Sequence, residues 1–216
     1  DGTLDCSFAE FNNVDLSGRD LQNVDLSNAD LRQADLTDAN LTQAYLKGAN
    51  LARADLSDAN LTRANFTDAN LAGADLSEAT GWRPSLYRAN LAGADLTGAN
   101  LAGANLTKTN LTQADLTEAT LTAADLWRAN LTQADLSGAN LTGANLLWAN
   151  LTGADLTGAD LRSANLPKAD LSGANLTGAD LSWAAFHWVE GTGAKADDET
   201  VWPEGFDPVA AGVIFE

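Results

Sequence analysis

The feature that most narrows what this chain can become is a period of five. The stretch from Ala149 to Leu156 reads A-N-L-T-G-A-D-L, one five-residue unit, A-[D/N]-L-x-x, beginning a second copy of itself. Looking for such internal repeats comes before any secondary-structure reading. In steps of five the same unit runs from about Leu4 to His187 without a slip in phase. The central residue is Leu from Leu16 to Leu181, apart from Phe66 and Gly81, with Cys6, Phe11 and Phe186 at the two ends. The residue two before it is Ala, except at Leu4, Val14, Arg19, Val24, Pro84 and Thr109.

A spacing of i and i+2 puts both apolar side chains on one side of an extended backbone. The next pair follows after an odd number of residues, so a straight strand would send it to the opposite side. The chain must therefore turn once per unit, at the two x positions. Glycines such as Gly98, Gly143 and Gly178 stand there, as a tight turn with positive φ favours. A helix is excluded, because a period of five fits neither 3.6 nor 3.5 residues per turn and the units are dense in Asp, Asn, Thr and Gly. One turn per unit, always in the same sense, gives a solenoid.

A second period sets the number of sides. The residue before the centre is Asp at Asp15, Asp35, Asp55, Asp75, Asp95, Asp115, Asp135 and Asp155, a spacing of 20. Asn50, Asn70, Asn90, Asn110, Asn130 and Asn150 repeat at the same spacing one unit away. Four units per coil, a square cross-section, would stack these residues. Between Cys6 and Phe186 there is room for about nine coils, and at roughly 4.8 Å per stacked strand the rod would be on the order of 45 Å long.

Unbroken A-[D/N]-L-x-x resembles the pentapeptide-repeat family over all but the ends of the chain. The resemblance implies an all-β fold, a right-handed quadrilateral β-helix. The tail from Thr200 to Pro208, T-V-W-P-E-G-F-D-P, resembles tails of cyanobacterial members. Many members have no assigned biochemistry; the best understood mimic DNA and bind type II topoisomerases.

The expected organisation is a repeat domain over residues 1–188 and a capping tail over 189–216. The inward positions of residues 1–20 are irregular, as suits a coil that closes an open end, with Phe8 and Phe11 as candidate lid residues. Arg19, at an inward position, should pair with an Asp or point out of the end. The unit Gly81–Ser85, G-W-R-P-S, replaces a central Leu by Gly and an inward Ala by Pro. Proline lacks a backbone donor, so an interrupted ladder and a bulge covered by Trp82 are expected there, or else a contact site. After Val189 the pattern ends. The polar stretch Gly191–Glu199 reads as mobile, and the apolar Trp202, Phe206 and Val209–Phe215 should fold back over the exposed last coil or make a homodimer contact.

A net charge of −18 argues against direct binding of nucleic acid or an anionic membrane, since both need a positive field. No apolar run is long enough for a membrane-spanning helix, and no signal peptide is visible. A chain beginning at Asp1 reads as processed, leaving cytoplasm, thylakoid lumen and periplasm open. Cys6, the single cysteine, reads as a buried thiol in place of Leu and excludes an intrachain disulfide. No cofactor or metal is expected. His187 is the only histidine, no P-loop, dinucleotide fingerprint or nucleophile elbow is present, and no carboxylate pair stands apart as a tuned acid and base. An enzyme is not expected.

What remains is a surface with four different sides. One carries the Asp column, with Asp38, Asp58, Glu78 and Glu118 beside it and Ser or Thr as the next outward residue. Stacked charges about 5 Å apart repel by about 1 kcal/mol per pair even in water. The column either bonds turn amides or supplies a negative field. Half a coil away lie Tyr87, Arg88, Lys108, Trp127, Arg128, Leu147, Trp148, Lys168, His187 and Trp188. Exposed Trp and Arg are enriched at interface hot spots. A rigid scaffold binding a protein partner through this side is the favoured reading. A DNA mimic of gyrase or another type II topoisomerase, working through the acidic side, is the alternative.

Overall fold

The computed structural model describes residues 4–215. Its organising contact is a parallel bridge between each residue before a centre and the residue 20 further on. The column that starts at Asp5 passes through Asp25, Tyr45 and Asn65 and continues in the same step to Ala185. The other three columns start at Glu10, Asp15 and Asp20. Because a corner comes every five residues, each side of a coil contributes a single bridged residue. The only longer strands among the described residues are β1 (Lys195–Ala196) and β2 (Ile214–Phe215), which pair in parallel.

The sequence rule follows from where each N–H goes, a complete accounting question for a buried backbone. In the unit from Ala94 to Gly98, Ala94 N–H closes the preceding turn onto Leu91 O at 3.1 Å. Asp95 N–H reaches down to Ala74 O (3.0 Å), while Leu96 and Gly98 N–H reach up to Asp115 O (2.7 Å) and Thr117 O (2.9 Å). That leaves Thr97 N–H, which lies on the corner with no ladder partner; Asp95 Oδ1 accepts it at 2.9 Å. The motif needs Asp or Asn before the centre because a short side-chain acceptor there completes the set.

From Phe8 to Gly193, every fifth residue has positive φ, whether or not it is glycine. This is the third residue of a type II-like turn, the position that requires it. Non-glycine residues such as Gln113 (57°) and Ala123 (54°) are held there because the ladders above and below over-determine the backbone.

Inside, the central Leu and the preceding Ala of successive units form one continuous core. From Leu26 to Leu181 every central residue is buried, and most of these side chains are wholly inaccessible. Two threonines enter this core with their hydroxyls satisfied: Thr109 Oγ1 donates to Leu86 O and Thr200 Oγ1 to Leu176 O, each at 2.9 Å.

Several expectations change. The Gly81–Ser85 unit is not a bulge: Asn60–Thr80–Asn100 and Asn65–Ser85–Asn105 stay paired. Pro84 stands where the N–H closes the turn rather than where it enters the ladder, so the missing donor costs no inter-coil bond. Nor does Trp82 act as a cover; it is half exposed and lies beside Arg83 and Arg63, at 4.5 Å and 5.6 Å from its ring centre. Phe8 cannot serve as a lid, being 73% exposed at a turn, whereas Phe11 and Cys6 pack against the core. Arg19 is exposed.

The tail differs as well. Pairing continues past Trp188, from Asp170 to Glu190, Asn175 to Lys195 and Asp180 to Val201. The stretch Gly191–Glu199 therefore joins the ladder at Lys195, with Gly191, Ala194 and Ala196 buried. The last step is 21 residues rather than 20, and Asp197 organises the extra residue. Its Oδ1 accepts from Gly178 N–H (2.9 Å), Thr200 N–H (3.0 Å) and Glu199 N–H (3.2 Å). Beyond it Trp202 and Phe206 make edge-on contacts with Phe186 at 6.1 Å and 4.5 Å between ring centres. Asp1–Thr3 and Glu216, which the expected domain limits include, lie outside the described residues.

Candidate functional site

The aromatic and basic residues gather at one corner because of the turn. Arg88, Lys108, Arg128, Trp148, Lys168 and Trp188 all occupy the positive-φ position, with φ from 53° to 63°. Each side chain projects from the corner directly above the one a coil earlier. Tyr87, Trp127, Leu147, Pro167 and His187 form a parallel column one residue before.

Stacking interleaves cations and rings. Lys108 Nζ and the Arg128 guanidinium carbon lie 5.2 Å and 4.7 Å from the Trp127 ring centre. Arg128 and Lys168 flank Trp148 at 5.9 Å and 4.2 Å, and Lys168 reaches Trp188 at 5.9 Å. Arg88 sits 6.0 Å from Tyr87 and also pairs with Asp68 at 3.1 Å. Each exposed cation–π contact is worth about 0.5–1 kcal/mol. Together they hold these long side chains against one another. Trp148 is 46% exposed and Trp188 79%. Among the described residues Lys108, Arg128 and Lys168 make no salt bridge, although the chain carries 30 acidic residues.

On the Asp column every carboxylate is engaged by its own turn. Asp15, Asp35, Asp55, Asp75, Asp95, Asp115, Asp135 and Asp155 each accept the N–H of the residue two further on at 2.9–3.0 Å. Ser17, Ser57, Ser77 and Ser137 add a hydroxyl bond to the same oxygen. At Asp15 the Ser17 hydroxyl, followed by the Ser17 amide, holds the carboxyl below its ordinary value.

The neighbouring Asn column does the same work without charge. Asn70, Asn90 and Asn110 also donate Nδ2 to the Asn one coil earlier at 2.8–3.1 Å. The chemistry that Asp brings and Asn does not is therefore the second oxygen and the negative charge, repeated once per coil.

The cluster of Arg63, Trp82 and Arg83 is not evident in the sequence, where the Gly81–Ser85 unit suggests either a bulge covered by Trp82 or a contact site. The one signal for it is that both arginines stand at turn positions 20 residues apart. Among the described residues no group of three or more His, Cys, Asp or Glu side chains is arranged to hold a metal ion.

The engaged carboxylates make acid a test of the ladder. The Arg162 side chain, against the opposing effect of partial burial, lowers the Asp160 pKa; at Asp197 the Gly178 amide contributes most to the lowering. A folded-state pKa below the unfolded value stabilises the fold above the unfolded value and loses that contribution as pH falls through the folded one. The expected outcome is stability flat through neutral pH that declines below about pH 4. Chemical denaturation at stepped pH checks this; a decline beginning at pH 6 would contradict it.

Comparison with known proteins agrees with this geometry. The family model for pentapeptide repeats matches in 8 copies, over residues 9–48, 44–80, 85–122, 121–158 and 154–189. No curated protein matches the sequence. Among solved structures, HetL, a pentapeptide repeat protein involved in heterocyst differentiation regulation in the cyanobacterium Nostoc sp. strain PCC 7120, is 38% identical. That match covers 93% of this chain and 94% of HetL, with a TM-score of 0.53. A second Nostoc pentapeptide repeat protein, alr5209, is 41% identical over 47% of this chain and 84% of its own, at a TM-score of 0.47. QnrB1, a plasmid-mediated fluoroquinolone resistance protein, is 17% identical over 92% of this chain and 90% of its own, at 0.49.

Proposed function

As the chain belongs to the pentapeptide-repeat family, we propose that it is a rigid, non-enzymatic rod that binds a protein partner through the corner running from Tyr87 to Trp188. The rod has about nine coils and is closed at its C-terminal end by the segment carrying Trp202 and Phe206. The observation that carries the reading is the interleaved column of Lys108, Trp127, Arg128, Trp148, Lys168 and Trp188. Aromatic and guanidinium groups already immobilised by one another lose less entropy on binding, and they are the residue types that dominate interface energetics. HetL, 38% identical over 93% of this chain, is a pentapeptide repeat protein involved in regulation, which is in keeping with this reading. The test is affinity capture from a cyanobacterial lysate with the wild-type chain and a Trp127→Ala/Trp148→Ala/Trp188→Ala variant. A partner retained by the first and lost by the second is expected; equal capture by both overturns the assignment to this corner.

A second reading, a DNA mimic directed at a gyrase-type topoisomerase, is favoured by one observation. The Asp column keeps its charge where Asn satisfies the same turn bond. Inhibition of gyrase supercoiling that fades with added salt and disappears in Asp75→Asn/Asp95→Asn/Asp115→Asn would establish it. Absence of inhibition at tens of micromolar would remove it.

A further inference from the structure

The corner column has a symmetry that points to one occupant. Read upward from its third rung, the positive-φ column is Arg128, Trp148, Lys168, Trp188. Turned end for end and laid on itself, it places Arg128 against Trp188 and Trp148 against Lys168, so that every rung meets its complement. The flanking column behaves likewise, with Trp127 against His187 and Leu147 against Pro167. On either side of these columns the same operation sets Asp125 against Ala185, Asn145 against Asn165, Asn130 against Glu190 and Asn150 against Asp170. No like charges face each other anywhere in these four coils.

We infer that this corner pairs with the same corner of a second copy of the chain, antiparallel, about a twofold axis level with the midpoint between Trp148 and Lys168. This rests on the proposed role of the corner and names its occupant. A twofold contact uses one patch twice and closes on itself, so it ends at a dimer rather than a filament. The alternatives are worse in a countable way. An antiparallel pairing centred on Trp148 sets Arg128 on Lys168, and one centred on Lys168 sets Lys168 on itself. Like-charge contacts select against wrong registers. All rungs on both rods repeat at the same coil rise, so the match does not drift along the contact. The rung-to-rung contacts would extend the cation–π stack already present within one rod, from Lys168 between Trp148 and Trp188 to Arg128 between Trp127 and Trp148. Two convex edges four coils long bury less than the roughly 800 Å² per partner of a standard interface, so the dimer is weak and concentration-dependent.

The test is an exchange of rungs followed by sedimentation equilibrium on the full chain from tens to hundreds of micromolar. The wild type is expected to move from monomer toward dimer over that range. Trp148→Lys alone sets Lys on Lys and is expected to weaken association at least tenfold, whereas Lys168→Trp alone sets Trp on Trp, a favourable aromatic pair, and is expected not to weaken it. The double variant Trp148→Lys/Lys168→Trp restores the complement and is expected to recover it. All four positions involved are outward and hold non-glycine residues at positive φ, and unchanged thermal melting confirms that each variant folds. A wild type monomeric throughout, or a double variant no better than Trp148→Lys, overturns the inference. A different protein that reads the order of the rungs would lose binding in the double variant as in the singles. A monomeric chain that still captures such a protein therefore sinks the self-pairing while leaving the partner-binding role in place.

Discussion

Leu116→Ala is expected to lower the unfolding free energy by about 2–5 kcal/mol, the range for a fully buried leucine whose surroundings cannot collapse. Leu116 is wholly inaccessible, with Leu96 and Leu136 at the same position one coil below and above and Ala114 beside it in its own coil. Those neighbours cannot move inward to fill the gap, because their backbones are fixed at 2.7 Å by Leu96 N–H to Asp115 O and Leu116 N–H to Asp135 O. In a stacked array each coil contacts only its neighbours, so the loss should be local. Hydrogen exchange should speed up in the coils around residues 96–136 and stay unchanged near Leu36. The outward Thr97→Ala, one coil below on the same side, should change stability by less than about 0.5 kcal/mol. Denaturant unfolding of the two variants measures the difference. A small effect at Leu116 would mean that the rod can tighten along its axis, contrary to the rigidity argued here.

Asp75→Ala/Asp95→Ala/Asp115→Ala is expected to destabilise the chain by about 0.5–1.5 kcal/mol for each bond lost, whereas the matching triple Asn variant should fold with nearly unchanged stability. Alanine leaves the N–H groups of Ser77, Thr97 and Thr117 without the acceptors they have at 2.9 Å. Asparagine keeps an acceptor in place, as Asn70 and Asn90 do for Ala72 and Ala92 at 3.3 Å. The bonds to these three Asp are only slightly shorter than those that Asn65 and Asn150 make to a matching threonine N–H at 3.0 Å. What the substitution gives up there is offset by removing neighbouring charges that repel by about 1 kcal/mol per pair. Thermal melts of the two triples at low and moderate salt decide it. Equal loss in both would show that the charge itself holds the turn. Stability retained in the Asn triple makes it the clean probe of the acidic side, since charge reversal to Lys removes the acceptor along with the charge.

The two substitutions differ in how visible their reasons were beforehand. The inward role of Leu116 can be read from i and i+2 spacing alone. The role of Asp95 was legible only as two alternatives, a turn acceptor or a source of field. The N–H it binds is left over only after every other donor in the unit has been assigned to a neighbouring coil.

Local chemistry repeated at a fixed step determined the solenoid, its square section, its core and its two contrasting sides. A period of five cannot be satisfied by helix or straight strand, and a spacing of 20 stacks only if four units close a coil. Departures from the period were another matter, because their effect depends on what lies a coil away. Pro84 looked like a break in the ladder until the structure placed its nitrogen at the one donor that closes a turn. Gly191–Glu199 looked mobile because its composition leaves the motif, yet Lys195 within it still pairs with Asn175, and the flanking Glu190 and Val201 pair with Asp170 and Asp180. The interleaving of cations and rings was likewise invisible in one dimension: Lys108 and Trp127 are 19 residues apart in the chain, and Lys168 and Trp148 are 20 apart. Only a stacked coil, one strand spacing high, brings such residues within reach of one another.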